Sequence, residues 1–280
     1  MTSPAIGHPI LERARGHVRL AVALRQERHA VAELAQSGCG RLLFPAIAAG
    51  APLEAVIVNT SGGLTGGDRF LVEAGVAPDA SAMLTTQACE KIYRSDGSDT
   101  HIETHLRVGT RAELAWLPQE TILFNGARLR RKLTIDTEET SCLLAVEAVL
   151  LGRKASGESL TRGLFRDSWR VRRAGKLVFA EETAFEGDLA PRLAAAASLK
   201  GASAYASVLL AAPDAAIRLD GARQLFDDQM LMKEAVEGGI STFDGLCVAR
   251  MIAQDGAALR RVLVALLKAL GGDLPRVWHI

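Results

Sequence analysis

The chain has 280 residues, with 33 Lys and Arg against 32 Asp and Glu, 49% hydrophobic residues and four cysteines. So even a charge offers no broad positive field for counterion release, which argues against nucleic acid as a partner, and a chain of this length buries enough surface to fold without disulfides. Cys39, Cys89, Cys142 and Cys247 lie 50 or more residues apart with no C-x-x-C, which argues against a zinc knuckle or a secreted disulfide framework and for reduced thiols in a cytoplasm.

The N-terminal segment carries His8, Glu12, Arg13 and Arg15 and no continuous apolar run, so no secretory signal is expected. From Val18 to about Phe185 the hydrophobic pattern has period two, the signature of half-buried strands. It shows in Val18, Leu20, Val22 and Leu24, and again in Phe70, Val72, Ala74 and Val76. It is clearest where Ile102, Thr104, Leu106 and Val108 alternate with His101, Glu103, His105 and Arg107. The run Cys142 to Leu151 is apolar except for Glu147; it reads as a strand covered on both faces, although a buried helix gives the same pattern.

Beyond Gly187 the chain turns Ala-rich, and periodicity does not decide whether Leu189 to Leu199 is helical. The 13 residues from Gly201 to Pro213 are uncharged, and no uncharged stretch is longer, so none reaches the roughly 20 that a spanning helix needs. A helix is expected from Ala215 to Val236, interrupted near Gly221 and capped by Gly238 and Gly239. A strand follows from Leu246 to Ile252, then a helix in which Leu259, Val262, Leu263, Leu266, Leu267 and Leu270 form one stripe ended by Gly271. The expected architecture is mainly β with C-terminal helices. It forms one domain over 1–280, with a strand-rich body over about 17–186 and a mixed helix and strand part over about 187–280. No fixed-period repeat is present, though a β-solenoid with irregular rungs need not show one.

Several segments could carry chemistry. In NTSGGLTGGDRF, Gly62 and Gly67 have P-loop spacing, but Asp68 and Arg69 stand where Lys and Ser or Thr are required, and an acid there repels phosphate. The plainer reading of Gly62, Gly63, Gly66 and Gly67 is a sharp strand connection, with Asp68 bonding exposed amides. His101 and His105 lie on one strand, roughly 13 Å apart, too far to share an ion without a bend. His8, His17, His29 and His279 are isolated in sequence, and no G-x-S-x-G elbow is present. Glu147 must be paired, protonated, metal-bound or facing water. Trp116, Pro118, Gln119 and Glu120 read as core or interface, and Gly152, Arg153, Gly157 and Glu158 as a tight loop.

Taken in order, the segments SGGLTGGDRF, TTQACEKIYRS, LAWLPQETILFNGA, LLGRKASGES and LPRVWHI resemble the urease accessory protein family UreD, also called UreH. The resemblance runs from about Arg41 through Ala184 and returns at the C-terminal helix and its PRVW tail. Gln87 and Ala88 depart from the family's usual Pro-Gly, and Leu189 to Gly239 match loosely. The resemblance implies a helical, solenoid-like β-structure and a non-catalytic maturation factor. In that picture the factor binds apo-urease and, with UreF and the GTPase UreG reached through UreF, passes Ni²⁺ through an internal tunnel. It further implies a cytoplasmic protein with no membrane role and no tightly bound cofactor, only transient Ni²⁺. Because Ni²⁺ holds its water strongly, transit favours loosely binding oxygen ligands. Asp68, Glu120, Glu147 and Glu158 are the candidate acids of such a path. Tyr93, Arg94, Ser95, Trp116 and Trp278 are candidates for interface or core. A solenoid-type lyase or hydrolase, or a plain interaction module without a metal path, are the competing readings.

Overall fold

The structure, a computed structural model, describes residues 12–227, 235–271 and 273–279. The chain opens with β1 (Arg15–Arg25), β2 (Arg28–Gly38), β3 (Gly40–Leu43) and β4 (Leu53–Asn59). It continues through β5 (Arg69–Val76), β6 (Ser81–Thr86), β7 (Glu90–Ile92), β8 (Thr100–Val108), β9 (Glu113–Leu117) and β10 (Thr121–Leu123). Next come β11 (Arg128–Thr137), β12 (Cys142–Leu151), β13 (Arg162–Arg173) and β14 (Lys176–Asp188). The C-terminal part holds α1 (Ala190–Ala194), β15 (Ala204–Ala211), α2 (Ala215–Asp227), β16 (Val236–Phe243), β17 (Leu246–Ala253) and α3 (Gly256–Gly271).

These strands form two facing sheets. One runs β14-β13-β11-β8-β5-β1-β2, the other β16-β17-β15-β12-β9-β6-β4-β3, with the short β10 pairing with β12 and β7 with β10. From β4 to β13 the chain alternates between the sheets. Each return lays a strand parallel to its predecessor: β1, β5, β8, β11 and β13 in the first sheet, β4, β6, β9 and β12 in the second. This is the expected mainly β, solenoid-like winding. Antiparallel hairpins β1–β2 and β13–β14 close the first sheet, and β15, β17 and β16 extend the second.

Alternation decides what each face buries. On β12, Leu143, Ala145, Val149 and Leu151 face the other sheet, whereas Leu144, Val146 and Ala148 face the helices. The expected stripe of α3 covers that outer face, and Asp255 caps the helix by accepting the Ala258 amide at 2.8 Å. The helix lies so close to β12 that a Cβ at Gly256 would stand 2.8 Å from Leu150 Cδ2, and one at Gly271 2.5 Å from Leu144 Cδ2. Glycine at both ends sets this approach.

The segment Leu189 to Leu199, which periodicity leaves undecided, contains only the short α1. The expectation for the next helix changes: α2 runs through Gly221 without interruption. The helix expected to reach Val236 is described over Ala215–Asp227; 228–234 lie outside the described residues, and Gly238 and Gly239 lie within β16 instead of capping a helix. The cause is a hairpin turn at Asp244 and Gly245, whose φ values of 49° and 73° are those of a tight two-residue connection, pairing β16 with β17 from Phe243 and Leu246 back to Val236 and Ala253.

Candidate functional site

The loops that join successive strands meet one another. In the connection from β4 to β5, the Leu64 amide donates to Lys91 O and the Tyr93 amide to Leu64 O, both at 2.8 Å. Glycine is required here: Gly63 has φ +135°, and a Cβ on it would lie 2.4 Å from Tyr93 Cε2 and 2.9 Å from Lys91 O. Likewise a Cβ on Gly66 would collide with Ser95 Oγ and Ser98 O. The Tyr93 hydroxyl donates to Gly62 O at 3.0 Å, and Thr65 Oγ1 to Arg94 O at 3.0 Å. Asp68 is buried beneath this loop and accepts the amides of Ala14 at 2.8 Å and Thr65 at 2.7 Å, while Gly67 packs against Arg13.

Tyr93 meets Phe124 edge to face with ring centroids 4.9 Å apart, and Arg153 stacks 4.3 Å from the Phe124 ring. Arg153 in turn donates to Glu158 at 2.7 Å across the Gly152 to Gly157 turn. The separate motifs of the sequence therefore build one continuous surface.

Beneath that surface, between the two sheets, lies a cavity of about 300 Å³ lined by Asn59, Glu90, Trp116, Pro118, Gln119, Arg131 and Glu147 among others. Near Gly62 and Gly63 its wall carries Glu90, a half-buried carboxyl whose two oxygens each accept from Asn59 Nδ2 at 3.1 Å. Burial pushes Glu90 up to about 7. Cys89 also lines the cavity, its thiol pushed up to about 11 by burial and the neighbouring Glu120, so it is an unreactive thiol at neutral pH.

At the inner wall stands Arg131. Strand alternation places it with Leu129, Leu133 and Ile135 on the buried face of β11, as it places Asp167 with Phe165 and Trp169 on β13. Arg131 Nε and one terminal nitrogen donate to the two oxygens of Asp167 at 3.0 and 2.6 Å. The other terminal nitrogen donates to Glu147 and, at 3.1 Å, to Thr121 Oγ1. Trp116 Nε1 completes the Glu147 site at 3.1 Å. Burial works against the Arg131 charge, but Asp167 and Glu147 overcome it and hold the guanidinium ionised. Burial also raises Glu147; Arg131 pulls it back and Asp167 pushes it up again, so Glu147 is the acid that holds a proton more readily than usual.

The tail closes the opposite side of the wall. Trp278 is buried, and its Nε1 donates to Leu117 O at 2.9 Å; Gln119 Nε2 donates to Val277 O at 3.3 Å. Arg260 on α3 stacks 4.8 Å from the Trp278 ring and pairs with the buried Glu120.

Of the acids singled out by sequence, Glu147 lines the cavity, Glu120 is tied to Arg260, Asp68 organises the glycine loop and Glu158 pairs with Arg153 at the surface. Sequence reasoning passed over Glu90, Arg131, Asp167 and Arg260. The signal for Arg131 and Asp167 was present as charged residues in phase with apolar neighbours. Among the described residues no three His, Cys, Asp or Glu side chains gather as a metal site, and His105 turns toward Glu103 at 3.7 Å. No described helix is long and apolar enough to cross a membrane.

Comparison with known proteins agrees with this construction. The family model described as "UreD urease accessory protein" matches residues 14–279. The chain is 45% identical over 271 residues to the urease accessory protein UreD of Rhizobium rhizogenes strain K84, covering 96% of each chain. It is 44% identical over 278 residues to that of Methylobacterium sp. strain 4-46, covering 99% of this chain and 98% of the relative. Against that of Agrobacterium fabrum strain C58 the figures are 40% over 271 residues, covering 96% and 92%. The chain belongs to the UreD family of urease accessory proteins.

Proposed function

We propose that this protein is a non-catalytic scaffold of urease maturation. It binds apo-urease and, with UreF and through it the GTPase UreG, assists delivery of Ni²⁺ to the enzyme. The observation that supports this reading best is the cavity between the sheets, lined in part by the family's own motifs and reaching inward to the buried Glu147, in a chain that matches UreD over nearly its full length. Ni²⁺ is cargo here. Oxygen donors spaced along a wet interior bind it weakly enough to release it, whereas a compact His or Cys set would retain it. Glu147 and Glu90 are the carboxylates on the cavity, and Gln119, Thr121 and Asn59 add polar groups to its wall.

The test is coexpression of urease with Glu147→Gln and Glu147→Leu variants, measuring activation and nickel content beside a pull-down of urease and UreF. Glu147→Leu is expected to leave the assembly intact and lower nickel incorporation. Full activation with an intact assembly removes Glu147 from the path. A wild-type chain that fails to retain urease or UreF overturns the scaffold reading.

A further inference from the structure

The outer face of the first sheet, turned away from core residues such as Val18, Val72, Leu106 and Phe165, is ordered by its parallel register into rows that cross β1, β5, β8, β11 and β13. At the end where these strands begin, the row reads Arg15, Arg69, His101, Arg130 and Arg166, each opposite the next. It contains no acid. Each of the three rows beyond it does: Glu103 stands between Leu71 and Lys132, Glu73 between Arg19 and His105, and Asp136 between Arg107 and Arg172.

Neighbouring strands lie roughly 4.8 Å apart, so the first row sets four guanidinium groups and an imidazole along about 19 Å. Like charges directly opposite one another on a sheet are destabilising, so folding brings these cations together at a cost. The chain relieves only part of it. Asp99 accepts from Arg130 but is shared with Arg128, and Glu182 pairs with Arg166. Arg15, Arg69 and His101 have no side-chain partner among the described residues. Arg15, Arg69 and Arg166 are exposed, and His101 and Arg130 are half-buried. In a chain whose net charge is only +1, this is a local surplus of positive charge on an open face.

We propose that this row is a docking surface for the acidic face of a helix on a partner protein. An α-helix laid across the strands advances about 5.4 Å per turn, close to the strand spacing, so an Asp or Glu at every third or fourth position meets successive cations of the row. A nucleic acid fits this face less well. No Phe, Tyr or Trp stands in the four rows to stack on a base, and Glu73 and Glu103 in the adjoining rows repel phosphate. That the helix belongs to a component of urease maturation rests on the function proposed above; the charge recognition does not.

The test titrates the full chain with a labelled helical peptide carrying Glu at every fourth position, and with a single-stranded oligonucleotide of equal charge. The peptide is expected to bind the more tightly and to weaken as salt is added. The double variant Arg15→Gln, Arg69→Gln is expected to weaken the peptide several-fold, whereas Arg107→Gln, which removes an exposed cation from the row that holds Asp136, leaves it unchanged. Because Arg15 and Arg69 have no internal partner, the double variant should also unfold at a higher urea concentration than wild type, which a purely structural role for them would not produce. Unchanged peptide affinity in the double variant, or an equal loss in Arg107→Gln, overturns the docking row, and tighter binding of the oligonucleotide overturns the protein partner. In coexpression the double variant is expected to lose urease or UreF from a pull-down. Retention of both while peptide binding is lost upholds the recognition and removes it from urease maturation. If the wild-type chain retains neither, the proposed function fails, and the peptide titration still decides the row.

Discussion

One nitrogen of Arg260 donates to both carboxylate oxygens of Glu120, at 2.8 and 3.0 Å, and so ties the terminal helix to the outer side of the cavity wall. The side chain of Glu120 is 7% exposed and that of Arg260 22%. Removing either charge strands the other, which typically costs about 3 kcal/mol or more at buried positions. Arg260→Ala is therefore expected to destabilise the protein by about 2–4 kcal/mol. The double variant with Glu120→Gln should recover at least about 1 kcal/mol of that loss. Urea unfolding of the four proteins measures the coupling, and simple additivity would show that the pair does not hold the wall.

Trp278 fills a buried site and uses its indole N–H on Leu117 O. Trp278→Ala loses both the packing and the bond and is expected to cost about 3–5 kcal/mol. Trp278→Phe, which keeps most of the volume, should cost about half as much. Thermal unfolding of both variants checks the order.

Glu90 predicts a pH dependence with a definite sign. Its carboxyl has an ordinary value of 4.5 in the unfolded chain and about 7 in the fold. Between those values the native state binds the proton that the unfolded state has lost, so stability falls as pH rises through this window. Glu90→Gln removes the penalty. The variant should be more stable than wild type by about 2–3 kcal/mol at pH 8, with the difference vanishing near pH 4. A gap that instead widens toward acid pH would contradict this assignment.

Gly63 allows the glycine loop to lie against Tyr93. Gly63→Ala meets both a backbone conformation that side chains avoid and a contact of 2.4 Å with Tyr93 Cε2. A loss of about 2 kcal/mol or more is expected. Gly50, with φ +78° and open space around it, should lose less on the same change, since only the backbone term applies. Chemical denaturation of the two variants separates contact from conformation.

Much of this architecture is legible in the residues. The alternation of Ile102, Thr104, Leu106 and Val108 marks β8, and the stripe from Leu259 to Leu270 marks α3, because burial on one face leaves a period in the chain. Gly238 and Gly239 look like helix caps in sequence, but the Asp244-Gly245 hairpin, seven residues from Glu237, draws them into β16. The site is harder to read. Which acid meets which base depends on register between strands far apart in sequence: Arg131 meets Asp167 across 36 residues and Glu147 across 16. Nothing local in GRKASGE or WLPQETILF distinguishes Glu158, paired at the surface, from Glu120, paired in the interior.

The parallel winding also governs how the chain reaches this state. Arg15 on β1 finds its partner Arg69 on β5 only after the intervening stretch has been made, and Leu117 waits 161 residues for Trp278. Long-range pairing of this kind folds slowly and keeps sticky edges open on a nascent chain. Slower synthesis or a folding helper should therefore raise the yield of soluble protein more than any single stabilising substitution does, because the bottleneck is the race between closure and aggregation.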